Sequence, residues 1–512
     1  MELLTVNIKK MKKEIFKLFY VLALLVVVAA CDDDDPVVEP PIVYGDAEMI
    51  SFGFYAEDNE GILFNDYTIE SIEGDFTISL PDYVDKTALV ARFEVTEDDT
   101  VTINSVLQES GVTVNDFSSP LDYIVSEGTN NTRYTVTVDE LPDAVWSQVL
   151  VDTTDLREFK MRVNLVNNLP YIVYALDMEE TEDEKVGVFM LEEGVLATVG
   201  SATVSEGRAR YPGIAFDGNG NPFVSFADYT NADPYDTEGG TTYSATVMSY
   251  NGSAWSTVGG KGVTDVRITY NDLVVKNDGN PMLFAYNNAA GTLARRELNV
   301  SDFDGSSWTA NTPMPGRPST DYAYYPTAVN VNGVIYLGVY NANSGTFSVY
   351  KNENGVWSTI ADSYLDEGAT TAYLRDFDMD VDRDGNIYVC IADDESGADI
   401  YRPKLLKYDA ATETWSKMGT PIAVDFSSTR EFSLSISPSG TPFLMYRDDS
   451  MYPVVASFDE DAQDWTTPTQ LAAVESDNLY MDFAPNGVAY AAYTSSNTGE
   501  TVLCKYDIPA GE

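Results

Sequence analysis

Ala254-Trp255-Ser256-Thr257-Val258 (AWSTV) is one copy of a motif that returns down the chain. The other copies are VWSQV around Trp146, SWTAN around Trp308, VWSTI around Trp357, TWSKM around Trp415 and DWTTP around Trp465. All six tryptophans of the 512-residue chain fall in this motif. Successive copies stand about 50 residues apart, except that the first gap is about two periods and holds Leu196, in VLATV, where a copy is missing. Tandem units of that length, rich in short strands, point to a β-propeller.

The sequence between the tryptophans supports that reading. NNLPYIVYAL, GNGNPFVSFA, NDGNPMLFAY, NGVIYLGVY, DGNIYVCIA, SGTPFLMYR and NGVAYAAY each read as a turn running into a strand. Apolar residues alternate ahead of the turn, as in Phe159, Met161, Val163 and Leu165 or Phe432, Leu434 and Ile436. Period two with Gly or Asn at the bend is hairpin chemistry. Seven hairpins give seven blades. The last unit stops after TVLCKYD without a tryptophan strand, whereas the first tryptophan strand, Val145 to Val151, has no blade of its own. That strand is expected to complete blade seven and close the ring, leaving no open sheet edge. The propeller is assigned residues 144–512.

Residues 44–141 lack both tryptophan and the repeat. Alternating stretches such as MISFGFYA, FTISL, ALVARFEV and RYTVTVDE predict a small antiparallel β-sandwich. The run QESGVTVNDFSSPLDYIVSEGTNNTRYTVTV (108–138) resembles the immunoglobulin-like domains that precede the working domain of Bacteroidota surface lipoproteins. The resemblance implies a spacer and names no ligand. The chain as a whole is expected to be all-β.

Residues 1–30 combine lysines 9, 10, 12, 13 and 17 with an apolar run from Leu18 to Ala30, the pattern of an export signal, with Met11 an alternative start. Val28-Ala29-Ala30-Cys31 resembles a bacterial lipobox, which implies lipidation of Cys31. Asp32 to Asp35 resemble the acidic signal that sends Bacteroidota lipoproteins to the outer face of the outer membrane. Residues 31–43, with their PVVEPPIV stretch, then read as a stiffened linker.

With 30 Lys and Arg against 82 Asp and Glu, the net charge is −52. That excludes a nucleic-acid partner, which needs concentrated positive charge. Besides Cys31, only Cys390 and Cys504 are present, in different predicted blades, so no disulfide framework is expected. The chain contains no histidine. This removes His-based triads and most zinc, copper and iron sites, and no cofactor is called for. A hydrolase or lyase would have to rest on carboxylates and tyrosines, among which spacing selects no pair. YDAATETWSKM (408–418) resembles a kelch outer strand but lacks the double glycine, and SDFDGSSW (301–308) is similar to a sialidase Asp-box but has Phe303 at the aspartate position. Asp380, Asp382 and Asp384 imitate a calcium loop, yet Tyr388 and Ile391 replace its closing acids, so no metal is assigned.

Two residue sets are candidates for function. Arg157, Arg210, Arg375 and Arg430 recur ten residues before the hairpin turns, with Arg267 two positions earlier in its blade and Ala323 and Asp477 in the remaining two. They are expected at one mouth of the central channel. Asp177, Asp228, Asp393 and Asp448 recur after the same turns, whereas the blades without an aligned arginine carry Asn287, Asn341 and Ser495. Paired rim ion pairs are favoured over an anion-binding ring. Tyr229, Tyr235, Tyr322, Tyr324, Tyr373 and Tyr452 are expected in loops at that mouth, as ligand contacts. These features together predict an outer-membrane, surface-exposed lipoprotein, held to the membrane through Cys31, that binds a polysaccharide or other nutrient without catalysis. Alternatives are a scaffold that docks other surface proteins and a histidine-free glycosidase or lyase.

Overall fold

The computed structural model describes residues 47–96, 99–153, 156–176, 184–230, 244–319, 321–366, 373–394, 400–424 and 432–509. The export segment, Cys31 and the acidic linker lie outside them. The described chain is all-β apart from one 3-10 turn, Lys86–Ala88, and none of its helices is long and apolar enough to cross a membrane.

The N-terminal part holds a three-stranded and a five-stranded sheet over one core, in which Phe52, Phe54, Phe117 and Tyr123 pack edge to face. It departs from a purely antiparallel sandwich in one place. Phe76–Leu80 runs parallel to the Val136–Glu140 half of the longest strand.

Among the described residues, 145–507 form seven further sheets of antiparallel strands. Their first strands are Leu156–Asn164, Ala209–Phe216, Ile268–Val275, Ala323–Val331, Leu374–Val381, Phe432–Ile436 and Ser476–Phe483. Each packs against the first strand of the next sheet, and the seventh packs against the first. Six sheets take their strands in chain order, the sixth with its outer strand split into Asp464–Trp465 and Thr469–Gln470. The seventh takes its outer strand from the other end: Val145–Asp152 pairs antiparallel with Thr501–Asp507.

The tryptophan motif forms the outer hairpin of these sheets. Trp146, Trp255, Trp308, Trp415 and Trp465 lie directly across from Tyr506, Tyr250, Phe303, Tyr408 and Phe458, with ring centroids 5.2–5.8 Å apart. Leu196 holds the same register opposite Leu191. Trp357 instead meets Phe284 of the preceding sheet. The tail after the tryptophan serves the next sheet. Trp255 Nε1 donates to the Val199 carbonyl (2.8 Å) and Trp308 Nε1 to that of Val258 (2.7 Å). Gly200 and Gly259, both at positive φ, follow those carbonyls and leave room for the indole.

The apolar alternation holds through Phe159, Met161 and Val163, which are buried, but Leu165 is 64% exposed, because the chain has already entered its turn there. Cys390 and Cys504 are buried free thiols.

A Cβ on residue 259 would stand 2.7 Å from the Trp308 ring while the backbone stays at φ +66. Gly259→Ala is therefore expected to lower stability by about 2 kcal/mol in denaturant titration. A Gly259→Ala variant as stable as wild type would show that the indole does not rely on this gap.

Candidate functional site

The first strands enclose a cavity of about 170 Å³, lined by residues 160–162, 376–380, 432–435 and 478–482 together with Asp272, Tyr325, Thr327 and Val329. In each strand, residues in phase with the apolar set pack in the cores between sheets, and those out of phase carry the polar and charged groups.

The residues out of phase with the apolar set bind the sheets to one another. Glu158 Oε2 accepts the Tyr211 amide (2.9 Å), Asp272 Oδ2 the Ala328 amide (2.8 Å) and Asp378 Oδ2 the Leu434 amide (2.9 Å). Asp380 Oδ2 accepts the Ile436 amide (2.8 Å), Ser433 Oγ the Met481 amide (3.1 Å) and Asp482 Oδ2 the Val163 amide (2.7 Å). Every one of these bonds joins a first strand to its neighbour. Arg162 donates to Asp272 (2.9 Å), and Lys160 donates to the Asn271 carbonyl (2.7 Å). Burial, with the charges of Asp482 and Asp378, pushes Asp380 up to about 7 against the pull of the Ile436 amide. Burial likewise pushes Asp482 up to about 6 against the Val163 amide and Arg162.

The end where the first strands begin is irregular in a repeated way. Register breaks fall between Leu156 and Glu158, Arg210 and Gly213, Ile268 and Asn271, Tyr324 and Thr327, Leu374 and Phe377, and Asp477 and Tyr480. Three of the extra residues, Tyr211, Tyr325 and Asn478, sit at φ +53, +49 and +54. Bulges of this kind re-aim side chains at a sheet's rim. Here they gather tyrosines. Tyr270 lies 4.8 Å from Tyr325, 5.7 Å from Tyr324 and 6.1 Å from both Tyr211 and Tyr286. Tyr322 joins the edge of this group beneath Arg296 (4.6 Å).

Of the residues expected at this mouth, Tyr322 and Tyr324 belong to the cluster, Tyr324 as a 9% exposed member of its base. Tyr229 is half-buried against the core between the second and third sheets. Tyr452 is half-buried in the turn that Asp448 holds. Tyr373 is corrected to a packing residue: it is 2% exposed, and its hydroxyl donates to Asp366. Tyr235 lies outside the described residues.

The expected ion pairs are re-partnered. Arg210 stands across from Ala227 and Asp228 across from Ala209, so the two point to opposite faces of their sheet. Arg210 instead forms a bidentate pair with Glu184 of the first sheet, joined by Arg208. Burial works against the Glu184 carboxylate, but Arg210 and Arg208 outweigh it and hold its pKa below the usual range. Asp228 accepts from Thr230 and Thr246. Asp393 pairs with buried Lys404 (2.8 Å), which also holds Asp366 (2.6 Å). Asp448 caps its own turn through the amides of Ser450 and Tyr452, and the neighbouring Arg447 reaches Asp477 of the last sheet (2.8 Å). Arg430 and Asp177 lie outside the described residues, as do the side chains of Arg157 and Arg375.

Asp380 and Asp382 do not converge. Asp382 accepts the amides of Asp384 (3.0 Å) and Asn386 (2.9 Å) as a turn cap, while Asp380 faces the sixth sheet. Asp217 caps the second sheet's turn through Asn219 and Asn221 in the same way. Among the described residues, no group of three or more His, Cys, Asp or Glu is arranged to hold a metal.

Residues 59–138 match the family described as SGBP, N-terminal, a Bacteroidota-type family of glycan-binding proteins. No curated protein matches the chain. Among solved structures, it is similar to polysaccharide lyase Uly1, with 11% identity, a TM-score of 0.47 and coverage of 69% of this chain and 91% of that one. An ulvan lyase of polysaccharide lyase family PL25 gives 12%, 0.44, 71% and 94%. A protein of unknown function from Dyadobacter fermentans DSM 18053 gives 13%, 0.39, 59% and 95%.

The raised Asp380 pKa sets a pH signature. Between about 4 and about 7 the folded chain binds a proton here that the unfolded chain has lost, so stability falls as pH rises through that window and levels off above it. Asp380→Asn removes the titration. Melting curves from pH 4 to 8 are expected to show a shallower decline for this variant than for wild type. Parallel curves would mean that Asp380 ionises normally.

Proposed function

We propose that the protein is a lipid-anchored, cell-surface glycan-binding protein of the outer membrane. An immunoglobulin-like domain, residues 44–141, precedes a seven-bladed β-propeller, residues 144–512, closed by its N-terminal strand. The leader, residues 1–30, is removed, and Cys31 carries the lipid beyond the 31–43 linker. Polysaccharide binds, without cleavage, at the end of the propeller where the first strands begin.

The observation that carries the reading is the tyrosine cluster around Tyr270. Sugar rings present apolar faces edged by hydroxyls, and adjacent phenol rings supply flat apolar surface with polar tips. The tryptophans are committed to the outer hairpins, so the aromatic surface at the cavity mouth is tyrosine. Orientation supports the same reading. At the opposite end, Arg383 donates to the Gly61 carbonyl (3.0 Å) and covers Phe64, so the N-terminal domain meets the turn end and leaves the tyrosine end facing away. The family match at residues 59–138 supports glycan binding and surface location. A binding role rather than catalysis is supported by the carboxylates themselves. Asp380 and Asp482, whose pKa burial raises, each accept two backbone amides and hold strands together.

The test is affinity electrophoresis of protein starting at Pro36 through a panel of polysaccharides, with new reducing ends followed in parallel. Retardation without cleavage is expected. Tyr270→Ala with Tyr322→Ala is expected to weaken it about thirtyfold, since each aromatic contact contributes about 1 kcal/mol. Retention of full affinity by the folded double variant would remove the cluster from the site. Release of reducing ends would make the protein an enzyme.

A further inference from the structure

In a chain with 82 acidic and 30 basic residues, arginines are expected to be neutralised where they stand. Most of the described ones are. Arg92 pairs with Asp58, Arg133 with Asp122, Arg162 with Asp272, Arg210 with Glu184 and Arg447 with Asp477. Arg267, Arg317 and Arg383 donate to backbone carbonyls. Arg295 and Arg296, adjacent in sequence, have no carboxylate or carbonyl partner for their guanidinium groups among the described residues.

These two arginines are also placed. Arg296 sits at φ +73, its amide donating to the Asn287 carbonyl (2.7 Å) and its carbonyl accepting from the Ala323 amide (3.2 Å). A left-handed arginine costs about 1 kcal/mol or more and persists only where its surroundings fix it. Here they fix it above Tyr322, with the guanidinium carbon 4.6 Å from the ring centroid. Arg295 beside it is exposed. Tyr286 and Tyr324, with hydroxyls 3.4 Å apart, complete the corner, and the charges of both arginines reach Tyr286.

We propose that Arg295, Arg296 and Tyr322 form a subsite for an anionic sugar unit, one that carries a carboxylate or a sulfate. The sugar ring packs against the tyrosine corner, and its oxyanion takes the guanidinium donors that no protein acid occupies. The overall charge of −52 does not forbid this. At physiological ionic strength, fields from acids beyond about 8 Å are largely screened, and the local pair decides the sign. The proposal rests on the glycan-binding reading above and narrows its substrate class.

The experiment compares the chain from Pro36 onward, which retains every described residue, with its Arg295→Gln/Arg296→Gln variant. The probes are polygalacturonate, dextran sulfate and uncharged dextran, read by affinity electrophoresis with melting temperature as the control for folding. Wild type is expected to bind at least one of the two polyanions. The double variant, melting as wild type does, is expected to lose about tenfold or more in affinity for it, the cost of removing hydrogen bonds to a charged group. Tyr322→Phe is expected to retain binding and Tyr322→Ala to lose it. Loss of polygalacturonate alone assigns a carboxylate and loss of dextran sulfate alone a sulfate. Unchanged polyanion affinity in the folded double variant overturns the subsite. Binding of dextran only would overturn the anionic class while leaving glycan binding intact, and binding of none of the three would count against both.

Discussion

The structure depends on hydrogen bonds from backbone amides of one first strand to side-chain oxygens of the first strand before it. Seven sheets meeting along their first strands leave amides at the junctions that no strand within the same sheet satisfies. An unpaired buried amide costs as much as a lost hydrogen bond. Glu158, Asp272, Asp378, Asp380, Ser433 and Asp482 meet that need, each across a junction. An ionised acceptor makes a stronger bond than a neutral one, but burial raises the proton affinity of Asp380 and Asp482. The inner belt therefore couples stability to pH through Asp380 and Asp482.

The same junctions account for where the tyrosines go. A first strand that bends inward to meet its neighbours cannot keep a regular ladder to its own second strand, and the break falls near its beginning. At the breaks in the second and fourth sheets the extra residue is a tyrosine in left-handed conformation, Tyr211 half-buried and Tyr325 buried, both in ring contact with Tyr270. The proposed binding surface is thus a by-product of closing the inner wall, built on strand ends rather than on a long loop. Arg296 follows the same logic on a different connection, its backbone pinned between the second strand of one sheet and the first strand of the next.

The fold was largely legible in the sequence. The tryptophan period, its leucine substitute at 196 and the orphan strand at 145 correspond to outer strands in matching register. The site was legible only in part. Arg210 and Asp228 recur at spacings that suggest partnership, but a bulge between Arg210 and Gly213 makes residue counting from the turn unreliable and leaves the two on opposite faces. The available signal was the phase opposite to the apolar one. Lys160 and Arg162 alternate with Phe159, Met161 and Val163, and Asp378 and Asp380 with Phe377, Met379 and Val381. A strand with charge on one side and apolar residues on the other, placed innermost, must line a polar cavity.

By itself the sequence determined the all-β character, the period of the repeat and, with no histidine, the exclusion of histidine chemistry, because composition and period are local properties of the chain. Only the tertiary structure decided which acids brace the junctions, which arginines are neutralised and which tyrosines share one surface. Those outcomes depend on contacts between sheets about 50 residues apart or more, and on bulges that shift the facing of a side chain by one residue. No count along the chain records either.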